Sequence, residues 1–242
     1  MMRKCIASIA LSLTQILLFY VNAEGYLQCG KISDYTYNDG DSNVIVANRD
    51  AGKQIAITFD DGPGKEYTPE ILDILNEYGI KATFFVVGKN AENNPEILKR
   101  IYTEGHEIGN HTYSHPDFRK LTTEQVEDEI EKTQSIIEDI TGAKPKLFRP
   151  PGGYLSNSIM DIITSKNYIT VLWSWRQDTT DWKSPPVKDV VNIVLTNIKD
   201  GDIILFHDQI FGESPTPKAL KIIIPELLEK GYEFVTVSEL MK

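Results

Sequence analysis

The sequence predicts an α/β protein whose parallel strands close, or nearly close, into a barrel. Three observations carry this expectation. From Lys53 onward, short β-branched or aromatic runs alternate with longer amphipathic stretches, the pattern of successive βαβ units. About seven runs qualify as strands, a number that suits one barrel. Nothing after Lys53 reads as a linker, a repeat or a low-complexity segment, so the runs belong to one domain, residues 53–242. The same alternation also allows a doubly wound open sheet. Hydrophobic residues at 41% and charged residues at 25% are ordinary globular proportions, enough for a sizeable core in 242 residues.

The N-terminus comes first. Arg3 and Lys4 precede a mostly apolar stretch from Cys5 to Val21, and Val21-Asn22-Ala23 has the small-x-small character of a cleavage site. Residues 1–23 therefore read as an export signal, and the protein as secreted or associated with the cell wall. Retained, the same segment would be a membrane anchor. Ser8, Ser12, Thr14 and Gln15 interrupt it, and it falls short of the roughly 20 residues of a comfortable span, which favours cleavage. Cys29 follows the bulky Gln28, which argues against lipid attachment. Residues 24–52 are rich in Gly, Asp, Asn and Ser and read as a tail or linker, with a turn at Tyr37-Asn38-Asp39-Gly40 and room for one short edge strand at Asn43 to Ala47.

The strand runs are Gln54 to Phe59, Ala82 to Val87, Glu107 to Asn110, Lys146 to Arg149, Tyr168 to Trp175, Asp202 to His207 and Glu233 to Val237. Between them, Val126, Ile130, Thr133, Ile137 and Ile140 line one helix face. Thr122 and Gln125 form a capping box at its start, and Gly142 ends it. Val187, Val190, Val191, Val194, Leu195 and Ile198 define a second stripe. Leu220, Ile223, Ile224, Leu227 and Leu228 define a third, which Pro225 should kink or split. All three stripes read as core packing.

Charge and cysteine count exclude several classes. A formal net charge of −10, with no Lys or Arg run longer than a pair, disfavours nucleic acid as a partner. A polysaccharide is compatible. The two cysteines, Cys5 and Cys29, allow neither a disulfide framework nor a CxxC metal site in the mature domain.

Five clusters lie at or after strand runs. Asp60-Asp61-Gly62-Pro63 sets two carboxylates side by side, a costly arrangement without a cation or Arg between them, although a solvated turn would also hold them. His111 and His115 are four apart, so one helical turn would face both imidazoles the same way, a spacing suited to zinc. Such pairs also occur without a metal. Arg149-Pro150-Pro151-Gly152-Gly153-Tyr154 is a rigid turn whose glycines permit close backbone approach to a ligand. Asp178-Thr179-Thr180-Asp181-Trp182 and Leu205-Phe206-His207-Asp208 read, one by one, as an acidic loop and a core-edge histidine. Together they matter more, because a parallel barrel opens all strand C-termini on one face. The fourth histidine, His106, precedes a strand and reads as structural.

In order, TFDDGP, HxxxH, RPP, DxxDW and LxH resemble the motifs of the polysaccharide deacetylase family, the NodB homology domain of carbohydrate esterase family 4. The resemblance runs from about Lys53 to the C-terminus. It implies a distorted (β/α) barrel and a metal-dependent hydrolase that removes N-acetyl groups from peptidoglycan or a chitin-like polymer. It implies that Asp61, His111 and His115 bind a divalent metal, zinc first, with cobalt or another first-row ion as alternatives. Asp60 would be the general base, held by Arg149, and His207 the general acid, oriented by Asp181. Trp182 and Leu205 would line the groove, and the Gly152 N–H would be a second oxyanion donor. Two positions depart from the pattern. Gly152 stands where a Tyr is frequent, with Tyr154 nearby as a replacement wall, and Arg176-Gln177 stand where smaller residues are frequent. The competing expectations are an O-acetyl esterase acting on acetylated xylan and a wall-binding protein that has lost a ligand or the base.

Overall fold

The computed structural model describes residues 44–242; the leader, both cysteines and most of the expected tail lie outside the described residues. Among the described residues, eight strands form one sheet in which every ladder is parallel. They are β1 (Val44–Ile45), β2 (Gln54–Asp60), β3 (Thr83–Val86), β4 (Glu107–Asn110), β5 (Leu147–Phe148), β6 (Ile169–Val171), β7 (Ile203–His207) and β8 (Glu233–Phe234). Their order is β1-β6-β5-β4-β3-β2-β7, with β8 beside the start of β2.

The sheet curls until its ends meet. Ser174 N–H donates to the Ile203 carbonyl (2.9 Å), Leu205 N–H to the Gln177 carbonyl (2.9 Å) and Asn48 N–H to the Gly201 carbonyl (2.9 Å). These irregular bonds join the β6 side to β7 and complete a distorted (β/α) barrel. Helices cover the outside: α1 (Tyr67–Glu77), α2 (Gly88–Asn93), α3 (Pro95–Thr103), α4 (Thr123–Thr141), α5 (Asn157–Ser165), α6 (Val187–Asn197) and α7 (Thr216–Glu229).

Strand periodicity decides what faces where. On β2, Ile55, Ile57 and Phe59 pack outward against Ile71 and Leu72 of α1 and Leu220 and Ile223 of α7. Ala56 points the other way, into a smaller interior cluster with Phe85, Leu147, Val171 and Ile203. Val237 and Leu240 of the short helix α8 (Val237–Leu240) belong to that interior cluster. Thr58 and Asp60 share the parity of Ala56, so the polar end of β2 is delivered inside the barrel rather than under the helices.

Several element bounds differ from expectation. The Tyr168 to Trp175 run is regular only over β6, because beyond Val171 the chain leaves β5 and crosses to β7. The Glu233 to Val237 run shortens to β8, because Thr236 caps α8 through a capping box with Glu239. Pro225 neither splits nor ends α7. The carbonyl that it leaves without an N–H partner belongs to exposed Lys221, where water can satisfy it. The α4 capping box and its left-handed Gly142 end (φ 74°) are as the sequence indicates.

Candidate active site

Parallel strands put their C-terminal ends on one rim, and the chemistry collects there. Asp60 and His207 end β2 and β7 and lie opposite each other in register. His111 follows β4 and Arg149 follows β5. Asp181 arrives from the 3-10 turn Asp181–Lys183 after the crossing segment. A cavity of about 870 Å³ opens between them, lined by Asp60, Asp61, His111, His115 and His207 and walled by Trp173, Trp182 and Leu205. Gly152 lines this cavity and also a smaller one of about 460 Å³, which holds Tyr154 and Arg119. Tyr154 therefore walls the adjoining recess and not the main cavity.

The two aspartates have different surroundings. Asp60 Oδ1 accepts from Arg149 Nη1 (2.7 Å), and the pair is almost wholly buried. The same Nη1 donates to Thr58 Oγ1 (2.8 Å), while Nε and Nη2 donate to the carbonyls of Val171 and Leu172 (3.1 Å each). The guanidinium lies 4.1 Å from the Phe85 ring centroid. A buried charge held this fully is locked in direction, so Asp60 is too. Asp61 occupies a left-handed conformation (φ 76°), which turns it away from the strand face that Asp60 follows. Its carbonyl accepts from Asn90 Nδ2 (2.7 Å).

Asp61, His111 and His115 offer ligand atoms that all lie within 4.8 Å of one another. Asp61 Oδ1 is 3.6 Å from His111 Nε2 and 3.4 Å from His115 Nε2. It is buried and has no hydrogen-bond partner among the described residues. His111 Nδ1 lies 2.6 Å from the Arg149 carbonyl, a contact that needs the proton on Nδ1 and leaves the Nε2 lone pair toward Asp61. Burial, the largest influence, pushes the His111 imidazole below its ordinary pKa, which favours the neutral, ligating form. The donor separations are close to the roughly 3.3–3.4 Å edge of a tetrahedron with zinc-like bonds of ~2.0–2.1 Å. The three residues thus fit a divalent metal.

The expected helical turn at His111 to His115 is absent. The segment is a bend with Thr112 (φ 69°) and His115 (φ 55°) in the left-handed region, and Thr112 Oγ1 accepts the His115 N–H (3.2 Å). Spacing suggested the convergence, but the backbone reaches it by another route.

His207 and Asp181 form the opposite wall. Asp181 Oδ1 lies 2.7 Å from His207 Nδ1, and Oδ2 accepts from the His207 N–H (2.8 Å) and from Thr216 Oγ1 (2.5 Å). Burial opposes charge on the imidazole. The Asp181 carboxylate outweighs it, with Asp61 and Asp60 adding to the effect, and the pKa is pushed up to about 9. His106 stays apart from the site. It is buried, accepts the Ala82 N–H at Nδ1 (3.2 Å) and is pushed down to about 4, first by burial, so it is a neutral core residue.

Sequence reading singled out neither Thr216, Asn90 nor Trp173, because no motif marks a residue whose role depends on a distant strand. Asp208 lay within a quoted cluster, but its role was not marked. It is buried beside His207 and accepts from the Gly62 N–H (2.9 Å) and Thr68 Oγ1 (2.6 Å), tying the β2 and β7 ends together. Gly62 has no space for a side chain there, since a Cβ would lie 2.0 Å from Asp208 Oδ2.

Comparison with known proteins assigns this barrel and its rim to a family. A sequence model described as polysaccharide deacetylase matches residues 47–171, over half of the chain, and the chain belongs to that family. It is 47% identical over 190 residues to a peptidoglycan-N-acetylglucosamine deacetylase of Bacillus cereus, covering 78% of this chain and 89% of the relative. A solved peptidoglycan N-acetylglucosamine deacetylase matches with a TM-score of 0.77 at 40% identity, covering 81% of this chain and 91% of the other. A solved family 4 acetyl xylan esterase from Clostridium thermocellum, in complex with a cobalt ion, matches with a TM-score of 0.72 at 38% identity, covering 77% and 89%.

Proposed function

We propose that the chain is a metal-dependent deacetylase that removes N-acetyl groups from N-acetylglucosamine residues of peptidoglycan and releases acetate, acting outside the cytoplasm. One observation carries this reading. Two imidazoles converge on the orphaned carboxylate oxygen of Asp61, between an Arg-held carboxylate and a carboxylate-held histidine. The named relatives supply the substrate class.

Asp61, His111 and His115 would hold the cation, with zinc the best fit to two imidazoles and one carboxylate. When bound, the cation supplies a Lewis acid for the acetyl carbonyl and makes water a stronger acid. The remaining steps belong to the chain's own groups. Asp60, fixed by Arg149, takes a proton from water at the oxygen that faces the cavity, as water attacks the carbonyl carbon. The Gly152 N–H at the cavity edge would be a donor to the developing oxyanion. As the C–N bond breaks, His207 delivers the proton at Nε2 to the departing nitrogen, and Asp181 stabilises the imidazolium until then. The products are acetate and a free amino sugar. Trp182 and Leu205 give the acetyl methyl an apolar wall.

The same groups would cleave an acetyl ester, and the esterase relative favours that as the second reading. The wall-binding alternative requires a lost ligand or base, and Asp60, Asp61, His111, His115, Arg149 and His207 are all in place. Acetate release from N-acetylglucosamine oligomers, peptidoglycan and acetylxylan, assayed side by side, tests the reading. Release from the first two should exceed release from acetylxylan. The opposite order favours the esterase, and no release from any substrate refutes hydrolysis.

A further inference from the structure

We infer that Glu129 is a positioning residue for the metal site: its carboxylate clamps Ser114 and thereby fixes where His115 presents its ring. The inference rests on the reading of Asp61, His111 and His115 as metal ligands. The two imidazoles are held in different ways. His111 is buried and anchored through its own ring by the Arg149 carbonyl. The His115 side chain is 43% exposed, and its Nδ1 has no hydrogen bond among the described residues. On the ring side it meets only the other two ligand-type residues, Asp61 Oδ1 (3.4 Å from Nε2) and the His111 ring (centroids 5.0 Å apart), so what holds its direction from outside the site is the backbone.

That backbone is costly to hold. Thr112 and His115 both adopt left-handed conformations without being glycine, which persist only where surrounding bonds over-determine them. The bonds come from two sides. The Gly88 and Lys89 N–H groups at the start of α2 donate to the carbonyls of Thr112 and Tyr113 (2.9 Å each). From α4, Glu129 grips Ser114 with both oxygens: Oε2 accepts the backbone N–H (2.7 Å) and Oε1 accepts the hydroxyl (2.8 Å). Charge-assisted pairs of this kind fix direction as well as distance. Ser114 is the residue immediately before His115, so releasing it loosens the ring that has no anchor outside the ligand set. Tyr113 packs under Lys132 (3.3 Å to the ring centroid) and donates to Glu92 (2.8 Å), but it lies one residue further from the ligand.

The test is zinc affinity of the full chain, measured by competition with a chelating indicator. Thermal midpoints of the metal-free proteins verify folding. E129A should bind zinc about tenfold more weakly than the parent, at the low end of what losing a supporting group to a metal ligand costs. S114A, which keeps the N–H bond, should lose less. E129Q should stay near the parent, because its amide oxygen still accepts the Ser114 N–H. E131A should leave affinity unchanged, since Glu131 on the same helix pairs with Lys166 away from the bend. Parent-like affinity in E129A overturns the inference, as does a loss in E129Q equal to that in E129A, which would assign the effect to charge alone. A parent that binds no zinc would instead refute the metal reading itself.

Discussion

Asp60 and Asp61 are neighbours in sequence with opposite environments, and they should fail differently. Asp60→Asn removes a proton acceptor while leaving the three ligand-type residues untouched. Its zinc content should match the parent while turnover falls by roughly 10²–10⁴-fold, the usual contribution of a general base. Asp61→Asn removes a charged ligand, so zinc content and turnover should fall together. Metal stoichiometry and turnover on the same samples decide this; the reverse pattern would exchange the two roles. His207 yields a prediction in pH. Its acid form is the protonated one, and Asp181 holds the pKa near 9, so turnover should decline as pH rises through about 9. Asp181→Asn removes the strongest raising influence, and the decline should move to lower pH. An alkaline limb that stays in place would contradict the assignment of His207 as the acid. At this scale the sequence was most legible where chemistry is carried in motifs: the acid pair, the histidine pair, Arg149 and His207 were all marked. Thr58 as an acceptor for Arg149 and Thr216 as a donor to Asp181 were not, because those bonds span 91 and 35 residues of chain and leave no local pattern.

Elements were legible where local physics decides them. The stripe, cap and terminating glycine of α4 are all readable, because capping and periodicity operate within a few residues. Thr122→Ala removes the acceptor for the Gln125 N–H and should cost about 1 kcal/mol of stability. Urea unfolding should show a lower midpoint with an unchanged slope; an unmoved midpoint would show that the cap contributes nothing. The segment after β6 was not legible. Its β-branched and aromatic residues suit a longer strand, yet at Leu172 the chain bonds to the Ile45 carbonyl and at Ser174 to Ile203. Which neighbour a residue pairs with is a tertiary choice that propensity does not encode. The bend at Thr112–His115 was hidden for a similar reason. Two left-handed non-glycine residues are selected by surrounding bonds, not by their own preferences.

At the scale of the molecule, alternation of strand and helix was enough to anticipate a parallel barrel, and a parallel barrel implies one functional rim. The way the barrel closes was not readable, since it depends on irregular bonds from Asn48, Ser174 and Leu205. The rim explains why motifs scattered from Thr58 to His207 share one cavity. The central claim is that this cavity hydrolyses acetamides with a cation held by Asp61, His111 and His115. Its most direct test follows acetate and free amine formation from N-acetylglucosamine oligomers by one purified sample: untreated, exhaustively chelated, then resupplied with zinc. Both products should appear in equal amounts, vanish on chelation and return with zinc. Undiminished formation of both after chelation, with no metal found by elemental analysis, would contradict it.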